Sequence, residues 1–192
     1  MILAIVQARM GSTRLPGKVL KDVCGKSLIE ILLNRLSRSK KIDKIILATS
    51  EKPENDLLAE TVEKLGFEVF RGNDKDVLNR YYQAAKQQHP DIVVRVTGDC
   101  PLIDYEVTDQ VINYFLENDF DYVCNGDPPT FPDGLDTEVF TFESLEKACK
   151  EASQQHEWEH VTPFIRESGL FRVENFYGEK DFSSERWTVD YP

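Results

Sequence analysis

Positive charge, long apolar runs and paired cysteines are all scarce in this 192-residue sequence. Each scarcity closes off a class of function. Lys and Arg number 23 against 34 Asp and Glu, a formal net charge of −11. That balance argues against a nucleic-acid footprint or an anionic membrane surface, both of which want a basic face. No apolar run approaches the roughly 20 residues needed to span a bilayer. Met1 to Ala8 is apolar but lacks the basic flank and cleavage site of a secretory signal, so the chain reads as cytosolic. Cys24, Cys100, Cys124 and Cys149 form no C-x-x-C pair and no metal-like spacing. Cys100 lies beside Asp99 with no histidine near it in sequence, which favours packing over nucleophilic chemistry. No internal repeat, low-complexity tract or linker interrupts the chain, and its length suits one domain.

What remains is an alternation of apolar strands and amphipathic helices. Strands are predicted over 2–7, 44–49, 68–70, 91–97, 121–124, 138–141, 171–176 and 186–189. Helices are predicted over 27–37, 55–65, 76–87, 106–117 and 142–152. Leu57, Leu58, Val62 and Leu65 are expected to face inward, and Asp76 to cap its helix. Ile92-Val93-Val94-Arg95-Val96 is continuously apolar around one arginine, as in a central strand covered on both faces. The order implies an α/β fold: a single domain over 1–192 with a mostly parallel sheet flanked by helices. Ligands of such sheets bind at the carboxyl ends of the strands. The loops after Gln7 and Thr97 both lie there.

The first of these loops carries local positive charge inside an acidic protein. Ala8-Arg9-Met10-Gly11-Ser12-Thr13-Arg14-Leu15-Pro16-Gly17-Lys18 holds two arginines, a lysine, two glycines and two small hydroxyls. It is neither a Walker loop nor a G-x-G-x-x-G fingerprint: five residues separate Gly11 from Gly17, and Val19 follows the lysine. Such a loop can be a plain solvated surface. It also suits a polyphosphate, with Arg9, Arg14 and Lys18 on phosphate oxygens, Ser12 as a further donor, and Gly11 and Gly17 allowing close backbone approach.

Asp99, in Gly98-Asp99-Cys100-Pro101, and Asp190, near the chain's end, suit either a structural cap or a hard cation such as Mg²⁺. Arg71 and Arg80 flank the third helix start, where a salt bridge to Asp74 or Asp76 is the plain alternative to ligand binding. Arg95 must point at the site rim or pair with an acid. Asn125 to Gly134 is too rich in turn formers for an element, and Asp133, Asp136 and Glu138 follow as solvated acids or sugar-hydroxyl partners. His156-Glu157-Trp158-Glu159-His160 fits H-E-x-x-H, a zinc peptidase pattern, with Glu179 as a distant third ligand. Pro163 breaks that helix early, and the plain alternative has His160 and Thr162 facing the cleft. His89 closes a helix, where a dipole contact suffices.

The first loop, Arg95-Val96-Thr97-Gly98-Asp99-Cys100-Pro101-Leu102-Ile103 and Trp187-Thr188-Val189-Asp190-Tyr191-Pro192 together resemble the CMP-sugar synthetases, cytidylyltransferases that activate acidic sugars. The resemblance is nearest to the spore-coat polysaccharide branch. It implies a Rossmann-like nucleotide-diphospho-sugar transferase fold, with CTP and a sugar as substrates and Mg²⁺ on Asp99 and Asp190. It further implies a nucleotide site of Ala8, Arg9, Gly11, Ser12, Arg14, Lys18, Arg71 and Arg80, and a sugar side near Asp136, Glu138 and His160. A homodimer is also implied. In the resembling families a helix follows the last motif, so truncation after Pro192 is an expectation. Cys100, where the octulosonate type has an acid, and Val19, where the sialate type has Asn, leave the sugar open. A non-catalytic nucleotide-binding domain and a glycosyltransferase are the neighbouring readings. The latter normally shows Asp-x-Asp, which Asp99-Cys100-Pro101 lacks.

Overall fold

The computed structural model describes residues 1–12 and 14–191. In chain order the elements are β1 (Ile2–Gln7), the short pair β2 (Asp22–Val23) and β3 (Lys26–Ser27), α1 (Leu28–Leu36), β4 (Lys44–Ser50), α2 (Asp56–Lys64), β5 (Glu68–Gly72) and α3 (Val77–Gln88). There follow β6 (Ile92–Thr97), α4 (Tyr105–Glu117), β7 (Tyr122–Cys124), β8 (Glu138–Thr141), α5 (Phe142–Glu151), α6 (Gln155–His160), α7 (Pro163–Glu167) and β9 (Val173–Asn175). The main sheet runs β5-β4-β1-β6-β8-β7-β9. Its β5, β4, β1 and β6 are parallel, β8 is antiparallel to both neighbours, and β9 is parallel to β7.

Alternation along β1 explains the three layers. Ala4 and Val6 point to a core filled by Ile29, Leu32 and Leu36 of α1, Leu58 and Val62 of α2, and Val111, Ile112 and Phe115 of α4. Leu3 and Ile5 point to the other core, against Leu78, Tyr81 and Ala84 of α3 and Leu145 and Ala148 of α5. Each strand residue swaps face from its neighbour, so a strand apolar on both sides must lie between two helical layers. The helix starts are capped as their sequences suggest: Ser27 accepts from Glu30 N, Asp76 from Asn79 N and Thr141 from Ser144 N.

Two expectations fail. Leu57 is 60% exposed, because α2 buries only the stripe of Leu58, Ala59 and Val62. The segment 186–189 is not a strand; Arg186 makes one isolated bridge with Asp133, and the chain beyond it is irregular. Three backbone bonds fix it there: Asp133 N to Glu185 O at 2.9 Å, Trp187 N to Asp133 O at 2.7 Å, and Val189 N to Asp99 O at 3.0 Å. Among the described residues no helix is long and apolar enough to cross a membrane.

Candidate active site

The carboxyl ends of β1 and β6 lie side by side, with Gln7 opposite Thr97. Gly98 makes that approach possible. A Cβ there would stand 2.6 Å from the Ala8 Cβ and 3.0 Å from the Gln7 carbonyl oxygen. The loop after β1 closes on itself, since the Met10 carbonyl accepts from both Ser12 N and Gly17 N at 2.9 Å. Gly17 takes a left-handed φ of 68° and starts a 3-10 turn over Lys18–Leu20, with Val19 buried beneath it. Buried Asn55 holds the loop's entrance: its Oδ1 accepts from Met10 N at 2.8 Å, and its Nδ2 donates to Ser50 Oγ at 2.8 Å.

This construction turns Lys18 inward. Its ammonium donates to Asp190 Oδ1 at 2.9 Å and to Asp99 Oδ2 at 3.2 Å. Arg14 Nη2 reaches Asp190 Oδ1 at 3.2 Å, and its guanidinium lies 5.2 Å from the centre of the Tyr191 ring. Arg186 binds Asp190 Oδ2 and stands 3.6 Å from Asp133. Residues separated by more than 80 and 170 positions in sequence therefore meet at one point. Burial alone would raise the pKa of both carboxylates. For Asp99 the Thr97 hydroxyl and Lys18 more than offset it, and for Asp190 Lys18, Arg14 and Arg186 do so, leaving both below the ordinary value. Both are thus held ionised.

A cavity of about 290 Å³ opens over this point, lined by Ala8, Arg9, Gly11, Ser12, Arg14, Lys18 and Asp99, among others. A larger one, about 820 Å³, adjoins it and shares Gln7 and Arg9 as a common wall. Its far side is built by Asp74, Asp76 and Arg80 at the start of α3 and by Trp158, Glu159 and His160 of α6. Asp74 organises this end, 2.6 Å from Lys52 and 3.7 Å from Arg9, and these cations keep its carboxyl below the usual range. Arg80 is 2% exposed and donates to the Asn73 carbonyl at 2.6 Å. Among the described residues no carboxylate lies within ion-pair distance of it.

Other expected site residues lie elsewhere. Arg71 lines neither cavity; it is tied to Asp56 at 2.6 Å and the Lys52 carbonyl at 3.0 Å. Glu138 is paired with Arg95 inside the sheet, where the register sets the two opposite each other, and borders neither cavity. Asp136 accepts from Gly134 N at 3.0 Å and borders neither cavity, although burial and the nearby Asp133 raise its pKa. Thr162 is buried rather than facing the cleft. Burial pushes the Cys100 thiol well up, as packing demands. The H-E-x-x-H segment has a structural explanation. Glu157 Oε2 accepts from Ser153 N and Gln154 N at 2.8 Å each, capping its own helix, while His156 faces Glu167. Gln7, Asn55 and Arg186 were not singled out from the sequence. Only Gln7, a polar end to an apolar strand, left a trace there.

The cytidylyltransferase family model matches residues 3–190. An uncharacterised protein of Methanocaldococcus jannaschii is 48% identical over 93% of this chain and 72% of its own length. The Bacillus subtilis spore coat polysaccharide biosynthesis protein SpsF is 36% identical over 98% of this chain and 81% of its own. Among solved structures, a cytidylyltransferase from Leptospira borgpetersenii serovar Hardjo-bovis is 37% identical, with a TM-score of 0.94 over 98% of this chain and 81% of that one. The family match spans nearly the whole chain and takes in the loop, Asp99 and Asp190, and the chain belongs to the cytidylyltransferase family.

Proposed function

We propose that the chain transfers CMP from CTP to a sugar hydroxyl and releases pyrophosphate. The observation that carries this reading is the meeting of Lys18, Arg14 and Asp99 on the wall of the first cavity, with Asp190 bound to Lys18 and Arg14. The acceptor hydroxyl gives up its proton to water as its oxygen attacks the α-phosphorus, the α–β bridge bond breaks, and that electron pair leaves on pyrophosphate. Little covalent chemistry is asked of the protein, so its part is positioning and charge neutralisation. Arg9, Arg14 and Lys18 would hold the β- and γ-phosphates and take up the charge on the leaving group. The base would lie against the backbone near Ala8, with Gly11 and Ser12 lending close approach and a donor.

Mg²⁺ fits the donor set. Asp99 and Asp190 supply hard, ionised oxygens from two segments that a backbone bond joins, and this cation completes its shell with substrate phosphates. Bound there, it would neutralise phosphate charge. The acceptor is assigned to the larger cavity, with His160, Trp158 and Arg80 around it. Gln7 and Arg9, common to both cavities, then stand where the acceptor oxygen meets the α-phosphate. A sugar acceptor draws support from the name of the Bacillus relative, a polysaccharide biosynthesis protein.

Pyrophosphate release from each of four NTPs with Mg²⁺, across acidic and neutral sugars, tests the reading. CTP-dependent release that disappears with EDTA and in Asp99→Ala is the expected result. Absence of both CTP binding and turnover would overturn it.

A further inference from the structure

The two carboxylates assigned above to a divalent cation are already bridged by a cation belonging to the chain. Lys18 Nζ lies between Asp99 Oδ2 and Asp190 Oδ1, and both Lys18 and Asp190 are over nine-tenths buried. The second oxygen of Asp190 is taken by Arg186, and the first also receives Arg14. Asp99 and Asp190, with Asp133 beyond Arg186, are thus matched by three cations, of which Lys18 alone is buried and bridges both proposed metal ligands. A bare divalent ion approaching this set finds its carboxylates already neutralised and must dislodge an ammonium to reach both. A triphosphate does the reverse: it offers that ammonium a new anionic partner. Lys18 can follow it, being a point charge on a flexible four-carbon stem at the start of the 3-10 turn.

We propose that Lys18 is an internal counter-ion standing in for the divalent cation in the free protein, and that the triphosphate draws it away. Metal and nucleotide then bind as a coupled pair, not metal first. Because coupling is reciprocal, the nucleotide tightens the metal by the factor by which the metal tightens the nucleotide. The counter-ion role stands on the geometry of Lys18, Asp99 and Asp190; its release by triphosphate rests on the nucleotide reading above.

Mn²⁺ is the probe, its binding followed by calorimetry and electron paramagnetic resonance without nucleotide. Wild type is expected to bind it weakly, and Lys18→Met at least about tenfold more tightly, within the usual range of coupling factors. Adding Asp99→Asn to Lys18→Met should abolish the gain, which places it at this carboxylate pair. Equal Mn²⁺ affinity in wild type and Lys18→Met, or tight binding by wild type alone, overturns the proposal. If Lys18→Met fails to fold by circular dichroism, Lys18→Gln takes its place. If neither folds, wild type decides: a slowly hydrolysed CTP analogue must tighten Mn²⁺, and unchanged Mn²⁺ affinity overturns the proposal. A gained, Asp99-dependent Mn²⁺ site with no CTP binding would keep the counter-ion and remove the cytidylyl-transfer reading. CTP binding with no gained site would do the opposite.

Discussion

Two clusters of opposite charges, one inside the sheet and one at its rim, are built to different ends. Arg95 and Glu138 face each other across β6 and β8, with side chains 14% and 16% exposed. One cation meets one anion, and Gln7 Oε1 lies 3.5 Å from Arg95. Beyond the ends of β1 and β6, Lys18, Arg14 and Arg186 crowd on Asp190, with Asp99 sharing the lysine. The first cluster is balanced and closed. The second shares Lys18, Arg14 and Arg186 among Asp99, Asp190 and Asp133, and it opens on a cavity. Lys18 and Asp190 are as buried as the first pair, so burial alone does not mark a binding site. Shared cations that face open space do, because a ligand can still draw on them.

The sharpest way to break that contrast is to remove one cation from each. Lys18→Ala is expected to lower kcat/KM for CTP by about 10²–10³-fold, the usual loss of one preorganised donor to a charged transition state. Its thermal unfolding midpoint should move little by comparison. A variant with unchanged turnover would take the loop out of the mechanism. Arg95→Met should do its damage in stability instead, about 3–5 kcal/mol by denaturant unfolding, since it leaves Glu138 buried and alone. Arg95→Met with Glu138→Leu should recover most of that loss. Arg95 Nε and Glu138 Oε2 already lack partners, so the pair gives up little when both go. A double variant as unstable as the single one would mean the pair is more than a balanced fastening.

A third, smaller effect separates a motif from its appearance. Glu157→Ala should cost about 1 kcal/mol, the typical value of a helix cap, and leave cytidylyl transfer intact. Zinc-dependent peptidase activity lost in that variant would instead revive the H-E-x-x-H reading.

How far the sequence could be read follows from the same contrast. β1, β6 and the helices between them were legible because burial on one or two faces writes a period into the sequence. Asp76 was legible as a cap because its partner lies three residues away. The strand order put the basic loop and Asp99 on one rim; Asp190 was joined to them only through family resemblance, since nothing local links position 18 to position 190. Arg95 left two readings open, and the register of β8 decided between them. The pairing of Glu138 with Arg95 was not foreseen for that reason: strand alternation gives a face, not the partner across it. The last segment was misread as a strand because Trp187, Thr188 and Val189 have strand-like side chains. It is instead fastened by backbone bonds to Asp133 and Asp99, which no periodicity announces.

The smallest effect sharpens the comparison through pH. Asp99 and Asp190 are held below the ordinary carboxylate pKa by the cations around them. A lowered folded pKa stabilises the fold above the unfolded value of about 3.9 and loses that contribution as pH falls through the folded values. Asp136 runs the other way. Burial raises it, and the charges of Asp133 and Glu138 add to this against the Gly134 amide, which pulls it down. Its ionised form burdens the fold above its folded pKa, and the burden vanishes once pH falls below the unfolded value. Acidifying from neutrality should therefore first relieve Asp136 and only then strip the Lys18 cluster. Asp136→Asn keeps an oxygen for Gly134 N and removes the charge. It should melt slightly above wild type at pH 7 and level with it near pH 3, about a unit below the ordinary Asp value. A variant less stable at neutral pH would show that the carboxylate's grip on Gly134 outweighs the cost of burying it. Asp136 would then join Arg95 and Glu138 as a fastening, and the open cluster around Lys18 would stand apart from all three.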